Sequence, residues 1–201
     1  MPALTVDRAT ALQLDLLRRM SRLDPAPYLF GGYAEDALLA GKVTRPHLDV
    51  DWLCPRRELD LRLAQARQLG FTEFETWGES APGKPFYLFA HQGELRLDLG
   101  VGDEVEGHNV LLVHNLAFAP VPVPYRVALP DDMFDHPPVT LEGIELHVVS
   151  PLALHQIRIG IASQGSFGEL SDRHLAASRQ LCQMFYPDVD PASLAPVVEP
   201  I

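Results

Sequence analysis

Phe30-Gly31-Gly32-Tyr33-Ala34-Glu35-Asp36, followed after a short gap by Thr44-Arg45-Pro46-His47-Leu48-Asp49-Val50-Asp51, decides the fold of this chain. A glycine pair where a strand turns into a helix lets backbone come close to an anion, and the free N–H groups of the helix N-terminus face it. Taken alone, a glycine pair is an ordinary turn. Asp49 and Asp51 are two residues apart, so in a strand they share a face, roughly 6 to 7 Å apart along the backbone. Leu48, Val50 and Trp52 are then left for the core. Taken alone, an Asp-x-Asp pair reads as a half-exposed edge strand with solvated carboxylates. Fixed side by side, however, the two charges repel, and a hard divalent cation with oxygen ligands relieves that repulsion. A third carboxylate is available in Glu94-Leu95-Arg96-Leu97-Asp98-Leu99. Its alternation turns the leucines inward and Glu94, Arg96 and Asp98 to the opposite face. If that strand neighbours Asp49 and Asp51, Asp98 completes a trio of aspartates; otherwise Asp98 is a salt-bridge partner of Arg96.

Outward from these stretches, residues 6 to 23 place Ala9, Leu12, Leu16, Met20 and Leu23 on a helical spacing, and the Asp24-Pro25-Ala26-Pro27 run ends that helix. Tyr28 to Phe30 is predicted as a short buried strand and Tyr33 to Leu39 as a helix closed by Gly41. Leu48 to Leu53 is predicted as a strand, and 56–69 as a helix with Leu59, Leu63 and Ala66 on its inner face. Further strands are predicted over 71–77, 86–91, 94–99 and 110–113, the middle two joined by a tight turn at His91-Gln92-Gly93. Six of the eighteen prolines fall between Pro120 and Pro138, which predicts an irregular connection or sheet edge. A hairpin around Glu142-Gly143 and two helices, 151–162 and 169–186, follow. The order of elements is mixed and predicts an α+β fold: a sheet-based core over residues 1–149, a small helical C-terminal part over 150–186 and a loose tail over 187–201.

With 201 residues, 47% of them hydrophobic and 21% charged, the chain can bury a substantial core. No apolar run approaches membrane-spanning length, and residues 1–7 lack the basic and apolar regions of a secretion signal, so the expected location is the cytoplasm with no membrane partner. Cys54 and Cys182 are far apart in sequence, which excludes a disulfide framework and a zinc ribbon. The eight histidines are scattered, so zinc is not expected. The net charge of −11 makes nucleic acid an unfavourable partner and suits a cationic small molecule. Glu94, Asp103, Glu104 and Glu106, close to the Asp98 strand, are the residues expected to attract such a molecule.

The glycine pair, the aspartate in the next helix and the run Thr-Arg-Pro-His-x-Asp-x-Asp resemble the nucleotidyltransferase superfamily typified by DNA polymerase β, and within it the aminoglycoside and lincosamide nucleotidyltransferases. The strongest match spans 28–53. The resemblance implies a twisted mixed sheet flanked by helices, two Mg2+ ions (with Mn2+ as a substitute) and a nucleoside triphosphate, ATP first among them. It also implies transfer of a nucleoside monophosphate to a hydroxyl of a small, aminoglycoside- or lincosamide-like acceptor, with release of pyrophosphate. Asp49, Asp51 and Asp98 match the metal and catalytic carboxylates. Gly31 and Gly32 match the phosphate-cradling turn, Arg45 and His47 the basic pair before the carboxylates, and Asp36 an acidic position that touches ligand or holds Arg45. Where family members show Lys-Asp-x-x-Asp in a C-terminal helix, this chain has Ser171-Asp172-Arg173-His174-Leu175, so Arg173 is the expected substitute cation. Two other functions fit the same residues: a metal-dependent phosphohydrolase using His47, Asp49 and Asp51, and a nucleotide-binding member without transferase activity.

Overall fold

A computed structural model describes residues 7–117, 121, 123–163 and 172–201. The first helix, α1 (Arg8–Met20), is capped by Asp7, whose carboxylate accepts the Thr10 N–H at 2.7 Å. It buries Leu14, Leu16, Leu17 and Met20. Strand β1 (Tyr28–Phe30) runs directly into α2 (Gly31–Leu39), so the two glycines form the first turn of the helix. Strand β2 (Val50–Pro55) begins two residues later than the spacing predicts. Leu48, expected in the core, precedes the strand and is 87% exposed.

A 3-10 turn over Arg56–Glu58 leads to α3 (Leu59–Gln68). The strand expected from residue 71 starts later, as β3 (Glu75–Ala81). Phe71 is buried for another reason: its N–H bonds the Ala66 carbonyl while the Gly70 N–H bonds that of Arg67. That pattern closes the C-terminus of α3 and leaves Phe71 in the core. Strand β4 (Lys84–Gln92) pairs with β3 and, across a two-residue turn at Gly93-Glu94, with β5 (Leu95–Val105).

Strand β5 runs well beyond the predicted 94–99 because it serves three partners. Its first half lies between β2 and β4, and its far end pairs with β6 (His108–Val113). Short strands β7 (Asn115–Leu116) and β8 (Tyr125–Ala128) follow, the latter inside the proline-rich segment, and then the expected hairpin of β9 (Val139–Leu141) and β10 (Ile144–Val148). Helices α4 (Pro151–Ser163) and α5 (Asp172–Phe185) come next; the predicted helix start at residue 169, and Ser171, lie outside the described residues.

The tail is not loose. Strand β11 (Val198–Pro200) pairs antiparallel with β8, Leu194 is buried, and Gln156 of α4 donates to the Leu194 carbonyl at 3.2 Å. The sheet runs β11-β8-β6-β5-β2-β1-β10-β9, with β3, β4 and β7 off this path. The β1–β10 and β2–β5 pairs are parallel and the others antiparallel, so the fold is α+β on a mixed sheet, as expected. Trp52, Phe71, Phe86, Leu97 and Leu99 are among the largest fully buried side chains. Among the described residues no helix is long and apolar enough to cross a membrane.

Candidate active site

Parallel pairing of β2 with β5 sets Asp51 opposite Asp98, with Val50 opposite Leu97 and Trp52 opposite Leu99. The four apolar side chains are buried on one face, which sends both aspartates to the other. Asp49, just before β2, adds a third carboxylate. Ligand oxygens of the three lie within 4.8 Å of one another, the only such cluster of acid, histidine and cysteine ligands among the described residues. Burial, and then the charges of Asp49 and Asp98, push the Asp51 carboxyl well above its ordinary value, although the Gly32 N–H bonds it. Burial and Asp98 also raise Asp49, against the pull of Arg96, His47 and Arg45. Such mutually repelling oxygen donors suit a hard divalent cation of the Mg2+ or Mn2+ kind.

Asp98 is both of the things the sequence allowed, a member of the trio and a partner of Arg96. Arg96 donates to its two oxygens at 2.6 and 2.7 Å, and the Tyr87 hydroxyl donates to Oδ2 at 2.6 Å. A carboxylate offers roughly four lone-pair positions, so one remains, on Oδ1. The Arg96 guanidinium is fixed in turn over the rings of Trp77 and Phe89, 4.5 and 5.2 Å from their centroids.

The glycine pair makes room for the protein's own side chains. Gly31 has φ +69°, and a Cβ there would overlap Asp51 Oδ2; a Cβ on Gly32 would overlap His47 Nδ1 and Arg45 Nη2. Asp36 accepts from the Thr44 N–H at 2.9 Å and from its hydroxyl at 2.5 Å. His47 Nδ1 meets Arg45 Nη1 at 2.9 Å, and Nε2 meets Asp36 Oδ2 at 2.8 Å. Arginine can only donate, which assigns Nδ1 as acceptor and Nε2–H as donor to Asp36. Burial opposes ionisation of Asp36, but the bonds from His47 and Thr44 outweigh it and hold the carboxyl below its ordinary value. Asp36 and His47 are thus buried and held by protein partners, whereas the Arg45 side chain keeps 23% exposure.

Several site residues escaped the sequence. Glu35, buried on α2, pairs with Arg45 at 3.6 Å and with Arg158 of α4. Gly31, Asp51, Tyr87 and Arg158, together with His174 of α5 and the apolar Leu154, Ile157 and Ile161, line a cavity of about 290 Å3. Glu35 carries a local signal, an acid within the quoted stretch. Tyr87 and Arg158 carry none, because pairing of distant segments brings them there. The acidic residues expected to attract a cation do not gather at this site. Asp103 and Glu104 lie on the far half of β5, roughly 17 Å along the strand from Asp98, and they pair with Arg56 and Arg57. Glu94 pairs with Arg8.

No protein-family model matches the chain, and no curated protein matches it. Among solved structures it is similar to the antibiotic-resistance factor ANT(2'')-Ia in solution, with a TM-score of 0.59 and 19% identity over 89% of this chain and 86% of that one. It is similar also to ANT(2'')-Ia crystallised in complex with adenylyl-2''-tobramycin, with a TM-score of 0.57 and 20% identity over 91% and 92% of the two chains. The fold is nucleotidyltransferase-like.

Proposed function

We propose that this chain is a divalent-cation-dependent nucleotidyltransferase. It moves a nucleoside monophosphate, adenylate in the first instance, from a triphosphate to a hydroxyl of a small aminoglycoside-like acceptor. One observation carries this function: three aspartates from two adjacent parallel strands and the loop before them converge within 4.8 Å beside the glycine turn of α2. The fold neighbour that holds an adenylated tobramycin supports the acceptor class.

Asp49, Asp51 and Asp98 are the residues to hold Mg2+ or Mn2+, which when bound screens the triphosphate and stabilises charge on the transferred phosphoryl group. Gly31 and Gly32 leave the first turn of α2 close to the phosphates, and Arg45, steadied by His47 and Asp36, supplies a guanidinium for them. The acceptor hydroxyl attacks the α-phosphorus, the bond from that phosphorus to the bridging oxygen of the β-phosphate breaks, and pyrophosphate leaves. Asp98 would offer its last lone pair, on Oδ1, to a bound cation or would take the proton that the attacking hydroxyl gives up. In either use its charge matters more to transfer than to nucleotide binding.

The test is titration of the purified protein with ATP in magnesium and in EDTA, and then pyrophosphate release with tobramycin as acceptor. Binding only with the cation present, together with acceptor-dependent release, is expected. Equal binding in EDTA, or binding without release for any hydroxylated acceptor, would sink the transferase. Asp98→Asn is expected to bind Mg–ATP within about tenfold of the parent while transfer falls at least about a hundredfold.

A further inference from the structure

The cavity beside the aspartates has two walls of opposite charge. On the strand side Asp51 lines it, with ligand oxygens of Asp49 and Asp98 within 4.8 Å of its own. On the helix side Arg158 lines the cavity with its side chain only 12% exposed, and His174 stands near it. Burial, and then the charge of Arg173, lower the Arg158 guanidinium to about 10. Burial followed by the charges of Arg158, Arg173 and Arg45 lowers the His174 imidazole. Three guanidiniums therefore act on one cavity-lining ring, in a chain whose net charge is −11. Such crowding of like charges is unfavourable, and Glu35 relieves it. Its side chain is 6% exposed, it is absent from the cavity lining, and it pairs with Arg45 and with Arg158. Glu35 thus braces from behind one arginine of the loop before β2 and one of α4.

A ligand that satisfies both walls carries bound cations at one end and several negative charges at the other. A monoanion leaves the helix wall unused, and a polyamine is repelled by it. Resting on the function proposed above, we infer that Arg158 is a contact for the polyphosphate end of the nucleotide and that Glu35 is its positioning residue. The affinity gained with each added phosphate therefore depends on the Glu35–Arg158 link between α2 and α4.

The experiment is calorimetry of the full chain with AMP, ADP and ATP in magnesium, for the parent, Arg158→Gln, Glu35→Gln, Arg158→Lys and Glu35→Asp. In the parent, affinity is expected to climb from mono- to triphosphate. Arg158→Gln and Glu35→Gln are each expected to cut the ratio of ATP to AMP affinity at least about tenfold, while AMP affinity changes less than about threefold. The charge-conserving Lys and Asp variants are expected to recover part of the ratio, and they answer the question if either glutamine variant fails to fold. A pair that only staples α4 to α2 would lower AMP and ATP binding together and leave the ratio unchanged, which overturns the inference. A ratio lost in Arg158→Gln but intact in Glu35→Gln overturns the positioning role. A parent that binds no magnesium nucleotide overturns both this inference and the transferase function, whereas an unchanged ratio in variants of a binding parent overturns this inference alone.

Discussion

In the function proposed, Asp51 serves binding at the expense of folding. Its carboxyl is raised by burial and by its two acidic neighbours, so between the ordinary value of 3.8 and the raised one the folded chain holds a proton that the unfolded chain has released. In that window stability falls as pH rises, and it returns on acidification. Asp36, lowered in the fold, contributes with the opposite sign, so the test is a difference between variants. In EDTA at pH 7, Asp51→Asn, whose amide oxygen can still accept the Gly32 N–H, is expected to melt about 2–4 °C above the parent, a gain of about 1 kcal/mol for a chain of this size. The gain should vanish near pH 4, and magnesium should raise the melting temperature of the parent far more than that of the variant. A variant less stable than the parent in EDTA at pH 7 would show that charge repulsion is not the dominant cost.

At the scale of elements, α3 buries polar residues beside its expected face. Leu59 and Leu63 pack partly buried against the core with Ala66, and Arg62 and Gln65 are fully buried next to them. Arg62 is 1% exposed and donates to the Pro25 carbonyl at 2.7 Å, to Gln65 Oε1 at 2.8 Å and to Glu58 Oε2 at 2.6 Å. It thereby ties α3 to the connection between α1 and β1. Truncation would leave the Glu58 carboxylate and Gln65 Oε1 without their shared donor, while Gln65 Nε2 still serves the Pro25 carbonyl at 2.9 Å. Arg62→Ala is expected to cost about 3–5 kcal/mol in urea unfolding. Arg62→Ala/Glu58→Gln should cost less than the two single changes added together, because the stranded charge is gone. Strict additivity would mean that the pair is not coupled.

For the molecule as a whole, the C-terminal tail closes a sheet edge and steadies α4. Strand β11 covers β8, the Ala128 N–H bonds the Val197 carbonyl at 2.9 Å, and Arg126 meets Glu199 at 2.7 Å. An uncovered strand edge is a template for self-association. Deletion after Pro187 is expected to lower the melting temperature by several degrees and to give concentration-dependent association on size-exclusion chromatography. Because Gln156, two residues before Arg158 on α4, loses its bond to Leu194, nucleotide affinity should weaken as well. A truncated chain that stays monomeric and melts like the parent would make the tail a passive appendage.

The local pattern of residues 28–53 was enough to identify the glycine turn, the Asp-x-Asp pair and the class of fold, because a strand's two-residue period and a helix's start are written in neighbouring residues. Period 2 also put Asp98 on the face opposite Leu97 and Leu99, but not beside Asp51; that adjacency is a pairing between strands some fifty residues apart. The limits of locality appear at Leu48, where strand spacing suggested burial but the strand begins two residues on, and at Phe71, which is buried through the bond that closes α3 without joining a strand. They appear again at residues 198–200, where a proline-rich tail becomes a strand only because β8 offers it an open edge. Chain periodicity thus determined which residues face which way. Tertiary structure alone decided which faces meet: it joined three aspartates into one cluster, laid Arg96 over Trp77, and brought Arg158 of α4 to Glu35, since each of these contacts is made between elements whose sequences carry no record of one another.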